Sequence, residues 1–197
     1  MLPNPDFNYL PMDGMVRYFG PIAVWEKDAS LWEALSQEIP WQKDQVHLFG
    51  KTYTTRRKVA WFADLPTEYN YSGFRRQSFP WPSHLGKIKK EIERILGTGF
   101  QSCLANYYHD GEDSMGWHSD DERVIPKRSP IASVSFGAER TFVFRHKTNF
   151  KTVSLELENA SLLLMENETQ EFWKHALPKR KRVQSPRINL TFRQVFP

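Results

Sequence analysis

The spacing of apolar residues predicts helices in the first half of the chain. In "DASLWEALSQEIPW", Leu31 and Leu35 recur at helical spacing and Pro40 ends the segment. "PSHLGKIKKEIERILG" has a longer apolar stripe, with Pro82 near its start and Gly97 as its C-terminal stop. We therefore expect two amphipathic helices before residue 100.

After residue 100 the pattern changes to short runs that alternate between apolar and polar residues or are wholly apolar. The runs are "QSCLANYY", "IASVSFG", "RTFVFRH", "TVSLELE", "SLLLME", "QEFWKHAL" and "RINLTFRQVF". Such a series of strands separated by short turns predicts a β-sandwich or barrel. Upstream, "VHLFGKTYTTRRKVAWFAD" predicts two strands around a basic bend. The proline-rich first ~20 residues predict an extended arm.

The composition is that of one folded domain. The chain has 197 residues, of which 40% are apolar, and this is enough to bury a core. No apolar run approaches the ~20 residues of a membrane helix, and the N-terminal segment lacks the pattern of a secretory signal. The single cysteine, Cys103, can form no internal disulfide, which favours a reducing compartment that can also keep iron ferrous. We expect no association with membranes.

Basic residues are clustered. The net charge is +4, and the clusters are "TRRK" (55–58), "FRR" (74–76), "KIKKEIER" (87–94) and "PKRKR" (178–182). A solvated surface explains any one of them. Together, and interleaved with aromatic residues, they favour a nucleic-acid partner, because phosphates attract such patches.

The segment "NYYHDGEDSMGWHSDDE" (106–122) combines imidazole and carboxylate groups. His118 and Asp120 are two residues apart, so on an extended segment both side chains point to the same side. His175, in the run "EFWKHAL", is the best candidate for a third ligand from another strand. Two histidines and one carboxylate on one face leave coordination positions open, as in ferrous oxygenases. A chance His-x-Asp tripeptide and a hydrogen-bonded core histidine are the structural alternatives.

The C-terminal run "RINLTFRQVF" carries charge on one face. Alternation separates its apolar residues from Arg187, Asn189 and Arg193. Two buried arginines are costly unless carboxylates compensate them, and these come either from the protein or from a dianionic ligand. 2-Oxoglutarate has a carboxylate at each end, one end can chelate iron, and the other matches an arginine fork. Asn106 and Tyr108, two apart on a strand, could donate hydrogen bonds to the same molecule.

"HSD" with His175 and "RINLTFR" together resemble the AlkB family of Fe(II)/2-oxoglutarate dioxygenases. The likeness begins at about residue 30 and includes "NYYHDG", "SPIASVSFGAERTFVFRHK" and "SLLLMENETQEFWKHALP". Within the family, the chain is most similar to the branch that repairs alkylated double-stranded DNA. The resemblance implies a mainly β fold with N-terminal helices, namely a double-stranded β-helix (jelly roll) with a nucleotide-recognition lid. We expect one structural domain, with arm, helices and lid in residues 1–100 and the catalytic core in residues 101–197.

The same resemblance implies a metal centre. It makes His118, Asp120 and His175 the ligands of Fe(II). The implied cosubstrates are 2-oxoglutarate and dioxygen.

The resemblance also divides the cosubstrate contacts between two ends of the molecule. Arg187 with Tyr108 would hold the distal carboxylate. Arg193 with Asn106 would hold the end at the metal, and Asn189 is a further candidate there.

Substrate contacts are implied upstream of the core. Tyr69 and Tyr71, with Ser72 beside them, match lid residues that receive a flipped base. "VHLFGK" resembles the hairpin finger of the duplex-acting branch, which makes Phe49 the wedge that fills the vacated stack. A core aromatic residue is the structural alternative for Phe49. Beside the wedge, Arg57 is the best match for a residue that grips phosphate.

Glu122 matches the acidic position beside the base pocket of the family. N1-methyladenine and N3-methylcytosine are cationic, so a carboxylate there favours the damaged base over the neutral one. The other acidic residues of the segment are interpreted as turn residues or solvated charge, and they are Asp110, Glu112, Asp113 and Asp121.

The predicted activity is oxidative demethylation of N1-methyladenine and N3-methylcytosine in DNA, with release of formaldehyde, succinate and carbon dioxide. Alternatives are the same chemistry on RNA, a protein or a small molecule, a non-catalytic binder of alkylated DNA, and a structural zinc jelly roll. Alkylated duplex DNA is the expected partner, with RNA second, and the protein is expected to be a monomer. We expect it in the cytoplasm of a bacterium or in the nucleus of a eukaryote, where "PKRKR" could serve import.

Overall fold

The computed structural model describes residues 3–48, 50–65, 68–71 and 74–195, in which strands predominate. The helices are α1 Ala23–Glu26, α2 Leu31–Glu38, α3 Ser83–Leu96 and α4 Thr169–Phe172. The strands before residue 100 are β1 Met15–Pro21, β2 Gln42–Leu48, β3 Lys51–Ala63, β4 Glu68–Tyr71 and β5 Phe74–Gln77. The later strands are β6 Ser102–Tyr108, β7 Met115–His118, β8 Ile131–Gly137, β9 Arg140–His146, β10 Thr152–Leu157, β11 Ser161–Glu166, β12 Trp173–Leu177 and β13 Arg187–Arg193.

Two antiparallel sheets make up the core of this part of the chain. The larger has seven strands in the order β1-β11-β8-β13-β6-β3-β2, and the smaller has four in the order β10-β9-β12-β7. Strands β4 and β5 form a separate antiparallel pair. This arrangement confirms the predicted jelly roll with helices toward its N-terminus.

Helices α1, α2 and α3 cover the outer face of the larger sheet. On α3, Leu85, Ile88 and Ile92 are buried in the same cluster as Leu190 and Phe192 of β13. Because side chains alternate along a strand, the polar residues of β13 must face the interior between the two sheets.

Both predicted helices are present, and α3 ends as expected. Gly97 has a left-handed backbone (φ 67°), and its N–H donates to the carbonyl of Glu93 (2.9 Å). Glycine adopts this conformation without the steric cost that other residues incur. Within the described residues, no helix has the length and apolar character to cross a membrane.

Two expectations about the first hundred residues need correction. Residues 15–21 are not part of an extended arm, because β1 pairs with β11 and Val16 is fully buried. The bend between β2 and β3 lies at Gly50 (φ 75°), inside the predicted hairpin "VHLFGK", so the basic run "TRRK" (55–58) is part of β3 and not of the bend. Since β1, β2 and β3 belong to the same sheet as β13, the structure has no break near residue 100.

Candidate metal centre and its pocket

Neighbouring strands of the smaller sheet bring the two histidines together. His175 on β12 pairs directly with His118 on β7, and their Nε2 atoms lie 3.1 Å apart. One Asp120 Oδ atom lies 3.9 Å from His175 Nε2, and the three ligand atoms lie within 4.8 Å of one another. Two adjacent ligands of one ion, each at ~2.1 Å, are separated by about 3 Å. The spacing therefore fits one metal ion bound by all three side chains.

Contacts behind the three candidate ligands hold them in this geometry. The Nδ1–H of His118 donates to the carbonyl of Gly116 (2.8 Å), which leaves Nε2 free to bind a metal. Arg193 Nη2 donates to Asp120 Oδ1 (2.7 Å), and the side-chain oxygen of Gln170 accepts from the Asp120 N–H (2.9 Å). Orientation by a second layer of partners is typical of metal ligands.

The electrostatics of the centre favour the metal-binding protonation states. Burial and the neighbouring His118 lower the pKa of His175 to about 3, so its imidazole is neutral at pH 7. Burial alone would raise the pKa of Asp120, but the charge of Arg193 and its hydrogen bond to the carboxylate favour the ionised form, and the pKa is lowered to about 2. A neutral imidazole and an ionised carboxylate are the forms that bind metal ions.

A pocket between the sheets continues from the metal centre along β6 and β13. The predicted cosubstrate residues Asn106, Tyr108, Arg187, Asn189 and Arg193 all line it together with the three ligands. Strand register explains this proximity, because Tyr108 pairs with Arg187 and Asn106 with Asn189 across the β6–β13 ladder.

Arg187 carries a charge that the surrounding protein does not neutralise. Its side chain is buried, and no carboxylate of the described residues pairs with it. Its Nη2 donates to Ser135 Oγ (2.9 Å), while Nε has no hydrogen-bond partner among the same residues. Burial lowers the pKa of Arg187 to about 10, so it remains a cation at pH 7. An anionic ligand group beside Tyr108 would supply the missing charge.

Comparison with known proteins agrees with this geometry. The family model of the 2OG-Fe(II) oxygenase superfamily matches residues 16–193. The chain belongs to this superfamily. As a member, the oxygenase uses Fe(II), 2-oxoglutarate and dioxygen, and the prediction of these cofactors is confirmed.

Relatives of this oxygenase carry AlkB names, which confirms the resemblance to that family. "DNA oxidative demethylase ALKBH2" of Mus musculus is 37% identical over 100% of this chain and 87% of its own length. "DNA oxidative demethylase ALKBH2" of Homo sapiens is 43% identical over 77% of this chain and 61% of that protein. "Alpha-ketoglutarate-dependent dioxygenase alkB homolog 3" of Homo sapiens is 40% identical over 91% of this chain and 65% of that protein. The chain thus spans less than two thirds of either human relative.

A solved structure supports the fold. "The structure of OsALKBH1" superposes with a TM-score of 0.63, covering 95% of this chain and 99% of that one. At 14% sequence identity, the comparison is evidence for the fold alone.

The residues present fit the cofactors of the superfamily. Two histidines and a carboxylate leave positions for a chelating keto acid and for dioxygen. Arg187 lines the same pocket and suits a carboxylate, so each carboxylate of the cosubstrate has a group that can bind it. Asn189 is less available than predicted, because its amide donates to Ser133 Oγ (2.8 Å) and to the Val134 carbonyl (3.0 Å).

The oxygenase's predicted substrate residues are only partly described. Phe49 and Ser72 lie outside the described residues. Tyr69 and Tyr71 belong to β4, which pairs with β5. Glu122 is partly buried in the turn after Asp120, where its carbonyl accepts from the Ile125 N–H (2.9 Å).

The interpretation of Arg57 as a phosphate contact needs correction. Its side chain is 4% exposed and forms an ion pair with the fully buried Asp44, so it faces the interior. Its neighbour on the strand, Arg56, is 57% exposed and pairs with Asp110 (2.7 Å). Alternation along β3 turned adjacent arginines to opposite sides, and the sequence run alone did not indicate which side was inside.

The acidic residues after β6 form an ordered turn, and not all of their carboxylates are solvated. Asp113 is buried, and its carboxylate accepts from the backbone N–H and the ring Nδ1 of His109, both at 2.8 Å. A Cβ atom on Gly111 would lie 1.8 Å from the carbonyl oxygen of Arg180, so only glycine fits at this approach. The turn is thereby fixed against the loop that carries "PKRKR".

Sequence reasoning missed several residues that support the site. Ser133 and Ser135, which bond Asn189 and Arg187, alternate in "IASVSFG" and could have been found by the same period-two argument that identified β13. Gln170 and Asp44 have no comparable sequence signal, because their partners are 50 and 13 residues away.

Proposed function

We propose that this oxygenase demethylates N1-methyladenine and N3-methylcytosine in DNA. The observation that carries the proposal is the pocket with a three-ligand centre at one end and the uncompensated Arg187 at the other. Oxidation with Fe(II), dioxygen and 2-oxoglutarate places one oxygen atom on the N-methyl carbon and one in succinate, with loss of carbon dioxide, and the hydroxymethyl group leaves as formaldehyde.

The protein residues bind and orient the reactants. His118, Asp120 and His175 hold the ion, and Arg193 keeps the carboxylate of Asp120 ionised and directed at it. Arg187, with the hydroxyl of Tyr108, binds the distal carboxylate of the cosubstrate through charge-assisted hydrogen bonds. This division leaves the open side of the metal centre for the methylated base.

The choice of substrate is supported by charge and by the relatives. Glu122 lies two residues after Asp120, where a carboxylate would favour a cationic methylated base. Exposed cations on the same chain include Lys179, Lys181 and Arg56, which suit a phosphate backbone. The relatives named DNA oxidative demethylase favour DNA over other polymers.

The test is incubation of the purified protein with oligonucleotides that carry one methylated base, in the presence of Fe(II), ascorbate and 2-oxoglutarate. We expect a mass loss of one methylene group per lesion in duplex DNA, with an equal amount of succinate. The same lesion in single-stranded DNA and in RNA gives the order of preference, and His118→Ala is the inactive control. Succinate formation without loss of the methyl group from any of these polymers would refute the proposed substrate.

A further inference from the structure

Three strands of the larger sheet place two arginines on either side of Tyr108. Tyr108 pairs with Arg187 on β13, and the β3–β6 register, in which Lys58 pairs with Tyr107, brings Arg57 opposite Tyr108. The Arg187 Cζ lies 5.4 Å from the Tyr108 ring centroid, and the Arg57 Cζ lies 6.0 Å from it. Both distances are within the range of cation–π attraction.

Arg57 is held at this position by Asp44. The register of the β2–β3 ladder shifts at Asp44, because Lys43 pairs with Lys58 whereas Gln45 pairs with Thr54. Asp44 therefore lies opposite residues 55–57 of β3. Such a bulge redirects a side chain, and here the Asp44 carboxylate is fully buried against the Arg57 guanidinium. The hydroxyl of Thr55 also donates to Asp44 (3.3 Å).

The guanidinium of Arg57 contacts residues of the pocket as well as Asp44. Arg57 Nη1 lies 3.0 Å from the sulfur of Met115, and both Met115 and Tyr108 line the pocket. A buried ion pair is weak evidence for stability, because desolvation offsets the attraction between the charges. Its position against two pocket-lining side chains indicates a role in the pocket.

We propose that Asp44 and Arg57 are positioning residues for 2-oxoglutarate, which fix the ring of Tyr108 beside Arg187. The inference rests on the proposed function in one respect, the assignment of Tyr108 and Arg187 to the distal carboxylate. Loss of the pair frees the ring, so that the cosubstrate must order Tyr108 when it binds.

The test uses a variant that removes both charges together, Asp44→Leu with Arg57→Met, because removing one alone leaves a buried unpaired charge. The dissociation constant of 2-oxoglutarate is measured by titration calorimetry on protein loaded with Mn(II), which does not turn over. We expect a rise of about three- to tenfold, the effect of ordering one freed side chain when the cosubstrate binds. In steady-state assays with Fe(II), the KM for 2-oxoglutarate should rise by the same factor while kcat is unchanged.

Lys58→Met is the matched control. Lys58 is the next residue on β3 and lies over the ring of Tyr107 (5.8 Å), on the opposite face of the sheet. Its loss should leave the dissociation constant unchanged. An equal rise in both proteins would overturn the inference, because the effect would then belong to the strand rather than to the pair.

Two further variants separate this inference from the proposed function and from misfolding. If Arg187→Gln weakens 2-oxoglutarate binding and the double variant does not, the positioning role is refuted while the cosubstrate assignment stands. If neither Arg187→Gln nor the double variant weakens 2-oxoglutarate binding, both the positioning role and the cosubstrate assignment are refuted. Arg57→Lys keeps a cation beside Asp44 and should bind with a constant between those of the wild type and the double variant. A constant for Arg57→Lys at or above that of the double variant also contradicts the proposal.

Discussion

Replacing Arg187 by methionine should weaken cosubstrate binding and, at the same time, make the metal-free protein more stable. The side chain is 2% exposed and has no carboxylate partner among the described residues. Such a cation is costly to bury; the hydroxyl of Ser135 and the ring of Tyr108 offset part of that cost, and an anionic ligand would offset the rest. Opposite changes in affinity and stability are therefore expected from one substitution.

The magnitude follows from the burial of the guanidinium. Burial lowers the pKa of Arg187 to about 10, against an ordinary value above 12, which corresponds to ~3 kcal/mol of unfavourable free energy. Because the folded protein binds this proton more weakly than the unfolded chain, the cost is fully present at pH 7 and declines only above about pH 10. Loss of the Ser135 hydrogen bond takes back ~1 kcal/mol, so the free energy of unfolding should rise by about 1–2 kcal/mol.

The loss of affinity should be larger. A charge-assisted bidentate contact with a carboxylate contributes ~3 kcal/mol, so the dissociation constant of 2-oxoglutarate should rise by roughly a hundredfold. Calorimetry on Mn(II)-loaded protein measures this constant, and urea unfolding of the metal-free protein measures the stability.

Arg140→Met is the matched control for Arg187→Met. Arg140 is buried too, but its guanidinium donates to three backbone carbonyls, those of Asp110 (3.2 Å), Asp113 (2.9 Å) and Pro178 (2.8 Å). Its removal takes a donor from each of these carbonyls and should lower the free energy of unfolding by about 2–3 kcal/mol. If Arg187→Met is destabilised like Arg140→Met and binds 2-oxoglutarate normally, Arg187 is a structural residue and the reasoning is refuted.

Four further outcomes are expected. His175→Ala should abolish turnover and weaken iron binding measured by equilibrium dialysis, and full activity would exclude it as a ligand. Glu122→Gln should lower the ratio of rates on N3-methylcytosine and a neutral etheno adduct, whereas an unchanged ratio assigns the carboxylate a different role. Phe49→Ala should slow repair of duplex DNA roughly ten- to a hundredfold and spare single strands, and equal losses in both would make it a core residue. Burial raises the pKa of the Cys103 thiol, so a disulfide reagent should label it only on unfolding, and rapid labelling of the native protein would contradict its burial.

The candidate site was predictable from the sequence where it depends on local spacing. His118 and Asp120 are two residues apart, and Arg187 and Arg193 share a face of one strand. His175 was a candidate only because its run is apolar. The direct pairing of β12 with β7 confirms its proximity to His118, which no local pattern specifies.

Long-range pairing that no local pattern specifies also explains the two corrected predictions, those for residues 15–21 and for Arg57. The proline-rich start gave no sign that residues 15–21 would pair with β11, because β1 is completed by a strand about 150 residues later. Nor could the run "TRRK" indicate that Arg57 is buried with Asp44 while Arg56 faces solvent. That distinction depends on a bulge in the β2–β3 ladder.

The sequence by itself determined the periodic features of this protein: the helix that ends at Gly97, the alternation of β13, and the ligand types of a ferrous centre. These follow from the 3.6-residue and two-residue repeats of backbone geometry, which act between near neighbours in the chain. Only the tertiary structure decided which charges are compensated. Asp120 meets Arg193 and Asp44 meets Arg57, while Arg187 meets no carboxylate in the described residues. Whether a buried arginine has a carboxylate partner depends on which residue lies beside it on the neighbouring strand. Strand register decides this, and register is set between segments that are far apart in the sequence.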